Sequence, residues 1–129
     1  MYIFLEDIIT PMLRSVSNGD MYFDLSIYEI FKAEDLDLHD LSQCVRISMI
    51  DVVDQIKQYV NEVNDVTFAK KMDFSKSEYQ IIRDFHWVVN GYGWYNDYIS
   101  FVKRYELQFA KKWCDENNIK CSSNGKRRF

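Results

Sequence analysis

Between Phe85 and Tyr98 the chain reads FHWVVNGYGWYNDY, and this segment limits the fold more than any other. Six aromatics and His86 fall in fourteen positions around the only G-x-G of the sequence. Bulky rings this dense need a backbone that can turn sharply among them, and glycine supplies that freedom. The segment therefore predicts two helices meeting at a corner. Gly91 is expected to be the left-handed residue just past a helix ending at Asn90, and Gly93 to let the chain reverse.

Helical period holds on both sides of the corner. Ser75-x-x-Glu78 reads as a capping box opening the first helix, with Tyr79, Ile82, Phe85 and Val89 on its inward face. The second helix runs to about Asn117 through Tyr98, Val102, Phe109, Ala110 and Trp113. Upstream, Met49, Val52, Val53, Ile56, Val60 and Val63 predict another helix, with Ser48 and Asp51 resembling a capping box. Asp65 to Met72 predicts a short one presenting Phe68 and Met72. Near the start, Leu5, Ile8, Ile9, Met12, Leu13 and Val16 make an amphipathic stripe. Pro11 fits it if the helix begins near Asp7, since the first amides of a helix have no internal acceptor, and Asn18-Gly19 would stop it.

Two short runs break the helical pattern. MYFDL (Met21 to Leu25) and YEIFK (Tyr28 to Lys32) are rich in aromatic and β-branched residues, and the few residues between them predict a hairpin. Cys44 to Ile47 is a candidate third strand. The expected fold is α+β: a mostly helical single domain over 1–121 with a small antiparallel sheet near the N-terminus, and a basic tail over 122–129.

The same segments carry a family resemblance. Leu5-Glu6-Asp7-Ile8, Tyr22-Phe23-Asp24-Leu25, Glu29-Ile30, Val45-Arg46-Ile47 to Asp51, Gly91-Tyr92-Gly93-Trp94 and Ala110 to Ile119 occur in the order seen in a bacterial family known as uncharacterised protein family 158. The sequence resembles that family over most of its length. The family's hairpin turn has a glycine where Ser26-Ile27-Tyr28 stands here. The resemblance implies the α+β fold and no particular activity.

Charge and cysteine usage narrow the function. The net charge is −4, and setting aside Lys126, Arg127 and Arg128 of the tail leaves −7 on the body. That balance disfavours phosphate backbones and suits a basic protein partner. Cys44, Cys114 and Cys121 lack metal-ligand spacing, and their odd number points to reduced thiols. No cofactor or metal is implied. The acidic residues near the N-terminus and the lack of any long apolar run predict a cytoplasmic protein without a membrane segment.

The aromatic segment is the place to look for function. Part of it must be core, because aromatic stripes at helical spacing usually are. But consecutive residues on a helix point about 100° apart, so Phe85, His86 and Trp87 cannot all be hidden. Trp87, Tyr92, Trp94 and Tyr95 are therefore the candidate binding residues, since tryptophan and tyrosine dominate binding hot spots. The reading is a small non-enzymatic protein-binding module, inhibitor-like or regulatory, with an aromatic patch on an acidic surface. A hydrolase centred on His86 and Asp97 is the alternative. It needs Asp97 to approach from the next helix, because Asp84 is only two residues from His86 and faces elsewhere. A homodimer joined through the aromatic face is the third reading.

Overall fold

The structure is a computed structural model that describes residues 1–13 and 19–122. The elements follow in the order β1 (Ile3–Phe4), α1 (Leu5–Met12), β2 (Met21–Asp24), β3 (Glu29–Lys32), β4 (Cys44–Arg46), α2 (Val52–Val63), α3 (Val66–Lys70), α4 (Glu78–Gly91), α5 (Tyr95–Glu116) and β5 (Cys121–Ser122). Two 3-10 turns, Ala33–Leu38 and Leu41–Gln43, link β3 to β4. The fold is mixed α+β and mostly helical, as expected. Val16 and Asn18 of the first predicted helix lie outside the described residues, as does the basic tail with Lys126, Arg127 and Arg128.

Contacts group the chain into two units, one of Met1–Ile50 with Glu106–Phe129 and one of Asp51–Tyr105. In the first, β2 is the centre of an antiparallel sheet ordered β3-β2-β4. Tyr22 pairs with Phe31 on one side and Arg46 on the other, which places Phe23 in the core. The hairpin turn has no glycine, and Asp24 compensates. Its Oδ1 accepts hydrogen bonds from the Ser26 amide at 2.9 Å and hydroxyl at 2.5 Å. Tyr28 takes the left-handed conformation instead, at φ 54°. Packing holds it there: its ring meets Phe23 edge-on at 5.2 Å, and its hydroxyl accepts the Lys120 amide at 3.1 Å.

A second, parallel pair joins β1 to β5, with Ile3 opposite Cys121 and Phe4 opposite Ser122. Ser122, expected to begin the tail, is thus strand. Two-residue strands carry no periodic signal, so the sequence does not announce them. Helix α1 begins at Leu5, two residues before the expected start, which places Pro11 in its last turn rather than its first. The arrangement is tolerable because the helix stops one residue later. Only the bond to the Asp7 carbonyl is forfeited. Leu5, Ile8 and Met12 are buried with Phe23, Phe31, Ile47, Ala110 and Trp113 in this unit.

The second unit is built around Tyr59 of α2. Its ring is edge-on to Phe68, Phe85, Tyr98 and Phe101 at centroid distances of 5.1 to 6.2 Å. Such pairs contribute roughly 0.5–1.5 kcal/mol beyond burial of their area. Helix α2 is capped by Asp51, whose carboxylate accepts from the Val53 and Asp54 amides. Ser48, the expected cap, lies ahead of the helix. Asp65 caps α3 by accepting from the Phe68 amide at 2.9 Å. Phe68 and Met72 are both buried, but α3 stops at Lys70, so Met72 lies past its end rather than on the expected helix.

Candidate functional site

Helix α4 begins two residues later than its capping box suggests. Ser77 is the cap, accepting from the Gln80 amide. Ser75 instead closes a local turn on Asp73, donating both its amide and its hydroxyl. The buried stripe is Ile81, Phe85 and Val89, residues four apart. This corrects the expected inward face. Tyr79 lies roughly 120° around the helix from Phe85 and is 67% exposed, and Ile82 is half-buried at the edge of the stripe. Trp87, roughly 160° from Phe85, is 83% exposed. The outer face of α4 therefore carries Tyr79, Arg83 and Trp87 at successive four-residue steps. The Arg83 guanidinium lies 5.9 Å from the Tyr79 ring centre.

The corner after α4 differs from expectation in which glycine does the turning. The helix continues through Gly91, and Gly93 takes the left-handed conformation at φ 74°. The Trp94 amide donates to the Val89 carbonyl at 3.0 Å and the Gly93 amide to Asn90 at 3.0 Å. These are the two bonds of a Schellman motif with Gly93 just past its cap. Asn90-Gly91 looked like the stop because it is the first pair with stop chemistry, but the bonding pattern is satisfied two residues later.

This corner sends the four expected binding residues in different directions. Tyr92 and Trp94 fold against each other at 4.6 Å, and both contact Phe68 of α3, at 5.3 and 5.1 Å. They are half-buried. Tyr95 is exposed and approaches His86 at 6.5 Å. Only Trp87 stands clear. Trp87 and Tyr92 both line a shallow cavity of about 340 Å³, together with Lys71, Val88 and Gly91. The Lys71 ammonium lies 4.9 Å from the Tyr92 ring centre. A second depression of about 490 Å³ lies against Glu78, Tyr79, Ile82 and Arg83.

His86 is exposed on α4 and packs against Phe85, Tyr95 and Tyr98. Asp97 is engaged elsewhere: its Oδ2 accepts the Tyr59 hydroxyl at 2.8 Å. Burial, and next this bond, push the Tyr59 phenol well above its ordinary range. Among the described residues no ion pair or hydrogen bond joins His86 to Asp97. The charges beside the aromatics also differ from the acidic surface expected. The carboxylates Glu29, Glu34, Asp35, Asp37 and Asp40 belong to the other unit. On α4, Asp84 is bound by Lys76 at 3.0 Å and by Arg83 at 3.3 Å. Lys76 and then Arg83 hold its carboxyl below the usual range.

One polar cluster escaped sequence reasoning. His39 Nδ1 lies 2.7 Å from Oδ2 of the buried Asp24, and its ring stacks on Phe31 at 3.7 Å. The Ser26 hydroxyl, then His39, lower the Asp24 carboxyl to about 2. An ionised carboxylate only accepts, so Nδ1 carries the proton and the imidazole is fixed in orientation. Cys44 lies opposite Asp24 in the sheet. Burial and the nearby Asp24 and Asp40 carboxylates raise its thiol, which donates to the Asp40 carbonyl. The cluster ties the segment after β3 back to the hairpin. No local motif joins residues fifteen apart, so only the fold reveals the pair. Among the described residues no three ligand-type side chains come together to hold a metal ion, and no helix is long and apolar enough to cross a membrane.

No family model, curated protein or solved structure matches the chain.

Proposed function

We propose that this protein is a non-enzymatic protein-binding module that uses the outer face of α4. The observation that carries the reading is Trp87, 83% exposed on a regular, capped helix. Contiguous exposed apolar surface marks interaction sites, and Trp87 shares its helix face with the exposed ring of Tyr79. Arg83 lies on the same face, so the three residue types most enriched in binding hot spots line up along one helix. The helical backbone that carries them is already ordered, which lowers the entropic cost of association. The hydrolase reading has less support, because the carboxylate it needs is bonded to Tyr59.

The test is co-purification with tagged wild-type protein and Trp87→Ala in parallel, their folding compared by thermal melting. The reading expects a retained polypeptide that the variant loses while melting unchanged. Sedimentation of the purified protein separates a self-associating face from one that takes another protein. Identical retention by both proteins, or a turnover abolished by His86→Ala, would refute the reading.

A further inference from the structure

We infer that the groove lined by Trp87 and Tyr92 takes an acidic peptide segment, with an aromatic or proline ring against their rings and a carboxylate at Lys71. The inference rests on the proposed role of α4 and adds the chemistry of the partner.

The shape argues for a peptide ring. The rings of Trp87 and Tyr92 line the groove together with Lys71, Val88 and Gly91. A Cβ built on Gly91 would meet nothing within 4 Å, so a ligand can approach the helix backbone there. Shallow aromatic grooves of this kind suit flat, preformed segments such as proline-rich peptides. A free metabolite is a poorer occupant, because small-molecule sites enclose most of their ligand.

Charge argues for acidity. Although the chain carries −4, the groove's lining includes no carboxylate. Asp84, the only carboxylate of α4 beyond its first turn, is bound by two cations, Lys76 and Arg83. Lys71 has no carboxylate partner among the described residues, and its ammonium sits at the groove over Tyr92. Within the lining itself Lys71 is the one charged side chain, so the groove presents a positive charge that no lining carboxylate offsets. Complementary potential selects an acidic partner at this face, the opposite of what the net charge alone suggests.

The probe is a random peptide library displayed on phage, selected on the full chain with Trp87→Ala as counter-selection. The best synthetic peptide is then titrated by fluorescence anisotropy. Enriched peptides should place Asp or Glu beside an aromatic residue or proline. Lys71→Glu, which replaces an attraction with a repulsion, should weaken binding by about tenfold. Added salt should weaken it as well. If the selected peptides are basic or uncharged and Lys71→Glu binds them equally, the acidic-partner inference falls while the α4 face stands. If no peptide distinguishes wild type from Trp87→Ala, both fall. Displacement of the peptide by single-stranded oligo-dT at similar concentration would overturn the inference in favour of nucleic acid.

Discussion

The carboxylate of Asp24 accepts two hydrogen bonds from Ser26 and one from His39, and it is buried in the first unit. Its folded pKa is depressed, from 3.8 to about 2. The sign follows from linkage: a depressed carboxylate adds stability above its ordinary pKa and loses it as pH falls through the folded value. Asp24→Asn should therefore lower the melting temperature at neutral pH. The gap to wild type should narrow between about pH 4 and about pH 2, as thermal melts at several pH values would reveal. A gap constant over that window would mean that the charge of Asp24 contributes nothing. Trp113 is the apolar counterpart. It is buried and meets Phe23 edge-on at 6.3 Å. Trp113→Ala should cost on the order of 3–5 kcal/mol in a urea titration, and a loss below about 1 kcal/mol would show that the site collapses around the smaller side chain.

At the scale of elements, helix interiors were legible and helix ends were not. Every long apolar period, from Val52 to Val63 and from Tyr95 to Glu116, became a helix. Ends depend on which of several qualified residues completes the bonding. Asp51 won over Ser48, Ser77 over Ser75 and Gly93 over Gly91. Tyr79 was misplaced for a related reason: aromatic character does not fix the inward direction, and Ile81 holds the buried position. The two glycines of the corner give the sharpest test. Gly93 has φ 74°, where a Cβ is strained, so Gly93→Ala should destabilise by about 1–2 kcal/mol. Gly91 is helical, with open space where a Cβ would go. Gly91→Ala should instead stabilise by about 0.5 kcal/mol, through lower backbone entropy in the unfolded chain. Denaturant titrations of the two variants must shift in opposite directions. Equal destabilisation would relocate the left-handed residue to Gly91.

Across the whole molecule, the order of periodic segments revealed the class of fold, but nothing in the sequence revealed where charge and aromatic surface lie. The net charge of −4 is an average: Asp51–Tyr105 holds eight carboxylates against seven basic side chains, close to balance. Pairings such as His39 with Asp24, or β1 with β5, join residues that nothing in the local sequence relates. The three tryptophans sample the result in a form that one spectroscopic experiment can read. Trp87 is in water, Trp94 is half-buried against Phe68, and Trp113 is buried beside Phe23. Indole emission moves to longer wavelength with exposure, so the native spectrum sums three environments. Trp87→Phe should shift the remaining emission to shorter wavelength and remove most of the acrylamide-quenchable signal. It should leave the melting temperature unchanged, since surface changes without special contacts stay within about 0.5 kcal/mol. Trp113→Phe should do the reverse, keeping the quenchable signal and lowering the melting temperature. If Trp87→Phe leaves quenching intact, Trp87 is covered in solution, by its own chain or by a second copy. Measuring quenching against protein concentration tells these apart, because only a second copy dissociates on dilution.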